Sequence, residues 1–388
     1  MTLAFFSNYF NHHQKALCDE WFKLLGEDFT FVETEPMEEF RTSMGWEIKN
    51  VPSYVLEAHK SDTQKQKAME LANSCDVVII GSAPETFVEQ RIKNNRLTFR
   101  YTERPLKEGI IKMFIPRLAK KFYRIHYKNR NKNLYLLGAS AFASNDYQRL
   151  SSYPDKCYKF GYFPFIRVWD VEELMEKKRE NKPLRILWAG RFLKLKRADL
   201  LIEAAKGLKK DHISFVIRMI GNGEEENKLK ALVKKYGLED CISFCGFLSP
   251  EEVRKEMEAA NIYVMTSNFL EGWGSVIYEG LSAGCAVVAS HSCGSTPWLI
   301  QSGKNGFVFK NGNSKSLQNK LKRLLLDREL TEGCGRNAYQ QMQDLWNPRI
   351  AAKRVIEFSE SIKKGHAISY QEGPLSKAPL IKNNWYKE

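Results

Sequence analysis

The sequence predicts an α/β protein made of two doubly wound parallel sheets. Three observations predict it. Short apolar, strand-like runs alternate with amphipathic helices along both halves of the 388-residue chain, the pattern of right-handed βαβ units with helices on both faces. At roughly 100–200 residues per domain, that length suits two domains. A stretch near 159–174 containing Gly161 and Pro164, followed by a charged run to Pro183, reads as a linker between the halves.

In the first half, Leu3–Phe6 is an apolar strand and His12–Leu25 a helix. Phe29–Val32 is strand-like, Asp62–Asn73 helical, and Asp76–Ile80 a buried strand ending in Gly81. Thr98–Tyr101 and Leu134–Leu137 are further strands, Lys107–Tyr127 is helix-like, and another helix begins at Ala139. The second half is more regular. Strands Leu184–Ala189, Ser214–Ile220, Cys241–Cys245, Ile262–Thr266 and Ala286–Ala289 are interleaved with helices over Arg197–Leu208, Glu224–Tyr236, Pro250–Ala259 and Ser275–Ala283. A last helix opens with Asn347 as cap and Pro348 at its first position, and stops at Gly365. The domains are therefore expected at 1–165, completed by the helix 348–364, and at 184–345. The tail 366–388 has no periodicity and is expected to be loosely ordered.

Composition narrows the function. Hydrophobic residues make up 43% of the chain, enough for full cores. No apolar run reaches the ~18–20 residues of a membrane span. The N-terminus lacks the features of a signal peptide, and the eight cysteines are scattered without C-x-x-C or zinc spacing, as in a reducing cytosol. The net charge is +14, and it is concentrated. From Arg91 to Lys132 there are fourteen Lys and Arg against Glu103 and Glu108 alone. Phe114, Tyr123, Tyr127, Ile110, Ile111 and Ile115 are interleaved with them, which is the composition of a surface that meets an anionic membrane. A solvated helix face over a core is the plain alternative. No nucleic-acid motif accompanies the charge, so nucleic acid is not expected as a partner.

In doubly wound sheets ligands bind beyond the carboxyl ends of the strands, so the loops after strands hold the candidates. Gly190-Arg191-Phe-Leu-Lys194-Leu-Lys196-Arg197 joins a strand to a helix. Helix N-termini favour anions, Arg191 offers a bidentate fork, and Lys196 offers a point charge; an ordinary basic turn has the same composition. Gly221 and Gly223 permit close backbone approach, either to a nucleoside or in a tight turn. At Gly246-Phe247-Leu248 a strand ends where backbone groups can read a base edge. The most specific run is Glu271-Gly272-Trp273-Gly274-Ser275-Val276-Ile-Tyr-Glu279. Its glycines open backbone N–H groups to phosphate, and Ser275 can cap the helix or bond a phosphate. Glu271 and Glu279 are separated by ~12 Å along a helix axis at ~1.5 Å per residue, the span of a sugar, a diphosphate and a ribose.

Together GRFLKLKR (190–197), IGNGEE (220–225), FCGFLS (244–249), EGWGSVIYE (271–279), AGCAVVASHSCGSTPWLI (283–300) and GKNGFVF (303–309) resemble the donor domain of retaining glycosyltransferases of family 4. The resemblance covers residues 184–345. It implies the GT-B fold, with two Rossmann-like domains facing a central cleft and the last helix crossing back to the first domain. It also implies that Arg191 and Lys196 neutralise the donor diphosphate, that Glu271 faces the donor sugar, and that Glu279 holds the ribose hydroxyls. Gly190, Gly221, Gly272 and Trp273 line the donor in this reading. Gly246, Phe247 and Leu248 meet the base, while Gly274, Ser275 and Val276 approach the phosphates. The first half resembles, more weakly, bacterial enzymes of capsular and exopolysaccharide assembly, through NYFNHHQKALCDEW (8–21), RYTERPLKEG (100–109) and FGYFP (160–164). Here His12 or His13 is expected to orient an acceptor hydroxyl, with a helix-capping or surface histidine as the alternative. Glu103 or Arg104 is expected either to hold a sugar or to form a structural ion pair.

No D-x-D is present, so no metal and no cofactor is expected, and cations with helix dipoles take the leaving-group charge. The expected activity is retaining transfer from a nucleotide-sugar, a UDP-sugar before GDP-mannose, to a glycan or polyprenyl-diphosphate-linked acceptor. The expected place is the cytoplasmic face of the plasma membrane, held there peripherally through residues 91–132. A nucleotide-sugar epimerase on the same fold and an NAD-binding oxidoreductase are the alternatives.

Overall fold

The computed structural model describes residues 1–43, 45–366 and 368–388. The chain divides into two compact units, one formed by Met1–Phe165 with Trp346–Lys382, the other by Ile166–Leu345 with Asn383–Glu388.

Among the described residues, the first unit holds seven parallel strands: β1 (Leu3–Ser7), β2 (Phe29–Glu33), β3 (Val55–Glu57), β4 (Val77–Ile80), β5 (Thr98–Thr102), β6 (Leu134–Gly138) and β7 (Cys157–Lys159), in the order β3-β2-β1-β4-β5-β6-β7. Leu3–Phe6 of β1 and Val77–Ile80 of β4 are continuously apolar because helices cover both faces of the sheet. An aromatic cluster of Phe5, Trp21, Phe29 and Phe31 fills one face. The helix Pro348–Lys363 belongs to this unit and packs along the helix His12–Leu25. Its cap is as expected, with the Asn347 side chain accepting from the Ile350 N–H at 2.9 Å. The Trp21 indole N–H reaches its Ala352 carbonyl, Phe358 meets the rings of Phe99, Tyr135 and Tyr158, and Lys363 pairs with Asp76 at 2.6 Å.

The second unit holds six described strands: β8 (Arg185–Ala189), β9 (Val216–Ile220), β10 (Ile242–Phe244), β11 (Ile262–Met265), β12 (Ala286–Ser290) and β13 (Gly306–Phe309), in the order β10-β9-β8-β11-β12-β13. All its pairings are parallel. Strand order reverses between β8 and β11, so their carboxyl ends mark the topological switch point of this sheet.

Three expectations change. The segment expected as one helix over Lys107–Tyr127 is broken: Ile110–Phe114 forms a tight 3-10 turn, Pro116–Phe122 an α-helix and Tyr123–Tyr127 a π-turn. Pro116, which lacks an N–H and fixes φ, starts a new helix there. Within the expected linker, Val171–Arg179 is a helix, capped by Asp170. The tail is docked rather than loose. Its backbone pairs antiparallel along the open edge of β7, through Lys159 N–H to Ser376, Leu375 N–H to Lys159 and Ala378 N–H to Cys157. Leu375 is fully buried.

Candidate functional site

The loops after β8, β9 and β10 are laced to one another by backbone. Gly190 N–H donates to Ile220, Phe192 N–H to Asn222, Glu225 N–H to Phe192 and Gly221 N–H to Gly246. Gly221 has φ +132°, and a Cβ there would lie 1.9 Å from the Gly190 carbonyl oxygen. It makes a close approach to the neighbouring loop. The Gly246 carbonyl is engaged by Gly221, whereas Phe247 stands 47% exposed beside it.

The switch point carries the charged groups. Lys196 lies in the 3-10 turn Lys194–Lys196 after β8, and Glu271 lies in the loop after β11. Lys196 Nζ and Glu271 Oε2 are 2.6 Å apart, with side chains only 19% and 14% exposed. The two loops are joined below this pair. Thr266 donates its hydroxyl to the Lys196 carbonyl at 2.6 Å and accepts from Trp188 Nε1 at 2.9 Å, and Asn268 N–H donates to Leu195 at 2.9 Å. Arg191 is exposed at the lip of the same loop.

The helix Ser275–Ser282 follows. Gly274 occupies its cap in the left-handed region, φ +80°, where a residue without Cβ is favoured. Ser275 therefore opens the helix instead of capping it. The N–H groups of this first turn lack helical acceptors and carry the positive end of the helix dipole. Gly272 and Trp273 are buried and accept from Gly294 and Ser295, which ties this loop to the loop after β12. Glu279 is the fifth residue of the helix. Desolvation pushes its carboxyl up to about 7, against a smaller opposing pull from Arg254.

In the first unit, Asn11 caps the helix His12–Leu25, which removes capping as a role for His12 and His13. The two imidazoles lie 4.0 Å apart, and each meets Trp46 edge-on, at 5.1 and 5.2 Å. Burial, then the charges of His12 and Arg41, hold His13 well below the usual histidine range. Glu103 accepts from the Tyr162 hydroxyl and pairs with Lys107. Arg104 forms the ion pair that was one of its two expected roles. Its guanidinium is buried against Asp146, Nε to Oδ2 at 2.9 Å, and lies over the Phe142 ring.

The basic segment also contracts. Arg91 is wholly buried and donates to the carbonyls of Ala72, Cys75, Asp76 and Leu97. Burial lowers it to about 10. Arg96 donates to the carbonyls of Asn73, Ser74 and Cys75, and Arg100 pairs with Glu85. The exposed cations Arg117, Lys120, Lys121, Arg124 and Lys128 instead gather on 116–128, beside Ile111 and Phe114, which are 72% and 80% exposed. No helix among the described residues is long and apolar enough to cross a membrane.

A profile of the group 1 glycosyl transferases matches residues 170–341, the stretch that holds Lys196, Glu271, Glu279 and the laced loops. Residues 170–341 form a group 1 glycosyl transferase domain. The chain carrying this domain is 25% identical over 191 residues to the putative colanic acid biosynthesis glycosyltransferase WcaL of Salmonella typhimurium, covering 48% of this chain and 47% of that protein. It is 28% identical over 187 residues to the amylovoran biosynthesis glycosyltransferase AmsK of Erwinia amylovora, covering 47% and 46%. The chain thus spans about half the length of the curated relatives it matches. In fold it is similar to Anabaena Alr3699/HepE, crystallised in complex with UDP, with TM-score 0.68 and 16% identity over 93% of this chain and 100% of that one. That likeness reaches beyond the glycosyl transferase domain to both sheets and is the GT-B fold. Thr266, Asn268 and His291, which help to shape the domain's switch point, escaped the sequence reading. The polar run after each strand was the available signal for them.

Proposed function

We propose that the protein is a glycosyltransferase that moves a sugar from a nucleotide-sugar, a UDP-sugar first, to a glycan or polyprenyl-diphosphate-linked acceptor in bacterial surface polysaccharide assembly. The Lys196–Glu271 pair astride the switch point carries this reading. An enclosed cation beside a helix N-terminus suits a diphosphate leaving group, and a carboxylate next to it suits sugar hydroxyls. The family resemblance, the group 1 domain and relatives named for polysaccharide biosynthesis support it.

In the proposed reaction the bond between sugar C1 and the phosphate oxygen breaks. The acceptor oxygen bonds C1 on the same face, and its proton passes to the departing phosphate oxygen. Lys196 and Arg191 stabilise the charge on the diphosphate without a metal. Glu271 orients the sugar and Glu279 accepts from the ribose. His12, His13 and Glu103 serve the acceptor. The exposed cations of 116–128, with Ile111 and Phe114, hold the enzyme on an anionic cytoplasmic membrane face.

The test is a thermal-shift panel of nucleotide-sugars followed by turnover. A ligand at ~100 times its Kd stabilises by about 2.7 kcal/mol, so UDP-sugars should raise Tm most. A panel without any shift overturns the reading. Conversion of a donor without any acceptor marks an epimerase, and an absorbance change with NADH marks an oxidoreductase.

A further inference from the structure

We propose that Trp385 and Tyr386, docked on His291, are positioning residues for the loop that carries Glu271, and so set how tightly the nucleotide donor is held. This rests on the reading of the switch point of the second unit as the donor site.

Residues 383–388 group with the second unit, although the preceding stretch 346–382 belongs to the first. They dock at one place. Trp385 Nε1 donates to the His291 carbonyl at 2.9 Å, and the Tyr386 hydroxyl donates to the Val308 carbonyl at 2.8 Å. The Tyr386 ring stacks on the His291 imidazole, with centroids 5.7 Å apart and planes 29° apart. The imidazole is held from other directions too. The Asn311 N–H donates to its Nδ1 at 2.9 Å, and the backbone of Asn383 also bonds it. A ring whose Nδ1 accepts and whose face is stacked, on a residue whose carbonyl is also engaged, is held in its orientation.

That orientation matters because His291 touches the donor-side loop. Phe269, two residues before Glu271, meets the imidazole edge-on at 5.4 Å. The residues after His291 are fastened to the same loop. Ser292 Oγ donates to Ser267 at 2.8 Å, Gly294 N–H to Gly272 at 3.0 Å, and Ser295 N–H to Trp273 at 3.0 Å. The loop 266–274 is therefore gripped on one side by Lys196 and Leu195, and on the other by a loop whose first residue is clamped by Trp385 and Tyr386. Two large aromatic rings and two directed hydrogen bonds, one to His291 and one to Val308 on the adjoining strand, call for a physical reason. A loop that must hold Glu271 still while the substrate is bound supplies one.

The experiment measures UDP affinity by titration calorimetry in the full chain, with UDP as the probe. The double variant Trp385→Ala/Tyr386→Ala should weaken UDP by about 5- to 10-fold, the size of effect that residues outside a site exert on it. Tyr386→Phe, which keeps the stacked ring, should recover most of that affinity. In turnover with the donor found by the panel, donor KM should rise while acceptor KM stays unchanged. Wild-type UDP affinity in a folded double variant overturns the positioning role. So does a proportional fall of all parameters with the folded fraction. If the double variant does not fold, Trp385→Phe, which removes the hydrogen bond to the His291 carbonyl, carries the comparison in its place. Lys196→Ala separates the two claims. UDP binding unaffected by Lys196→Ala overturns the donor-site reading itself, whereas loss there together with a silent Trp385/Tyr386 pair overturns the positioning alone.

Discussion

At the scale of the residue, Lys196 and Glu271 hold one another before any substrate arrives. A charge that is already desolvated and oriented stabilises a leaving group with little reorganisation. Lys196→Ala should therefore lower kcat/KM by about 10²- to 10³-fold, the range for removing one such group, with a far-ultraviolet spectrum like that of the parent. Near-normal turnover would sink the assignment. Both residues were legible in sequence because a basic loop after a strand and E-x7-E are local patterns. Their ion pair was not, since it closes across 75 positions. Glu279 adds a pH signature. Its carboxyl is held up at about 7 by burial, above the ordinary carboxylate value near 4.3. The native state thus keeps a proton that the unfolded chain releases earlier. The stability this group contributes is full below the ordinary value and is lost as pH rises through about 7. Ribose hydroxyls need the ionised acceptor, so donor KM should fall as pH rises through that value. Glu279→Gln should flatten both the Tm and the KM profiles between about pH 5 and 8.

At the scale of the element, the loops after β8, β9 and β10 behave as one body. A Cβ at position 221 meets backbone oxygen rather than a yielding side chain. Gly221→Ala should cost about 3 kcal/mol, from left-handed strain plus the clash, seen as a lowered urea midpoint. The basic segment teaches the opposite lesson about legibility. Counting charges placed the attraction over 91–132, yet Arg91, Arg96, Arg100 and Arg104 are spent on carbonyls and carboxylates inside the unit. A one-dimensional count cannot tell a solvated guanidinium from one that closes a backbone gap. The exposed part is 116–128 with Ile111 and Phe114. Ile111→Ser/Phe114→Ser should weaken binding to anionic vesicles and leave UDP affinity unchanged. Charge reversal at Lys120, Lys121, Arg124 and Lys128 should release the protein outright, since each cation near the surface is worth about 1 kcal/mol. Vesicle binding that survives both changes removes the membrane from the proposal.

At the scale of the molecule, the alternation of strands and helices was sufficient to foresee two parallel sheets, because buried strands are continuously apolar and the helices between them are not. The docking of the tail was not foreseen, because 375–378 is a stretch of four residues without periodicity that gains its pairing from β7. The same pairing has a consequence in time. The first unit takes its strands from residues 3–159 but is closed by residues some 190 positions further along the sequence or more, by the helix Pro348–Lys363 over Trp21 and by 375–378 on the edge of β7. During synthesis it must wait, with an open sheet edge and a bare aromatic face, until residue 378 has emerged. The second unit needs little beyond residue 345 to assemble its sheet. Domains otherwise tend to fold in the order they are made; here the later-made unit is the one that can finish first. A fragment ending at residue 165 should accordingly aggregate on expression, while one spanning 166–345 stays in solution.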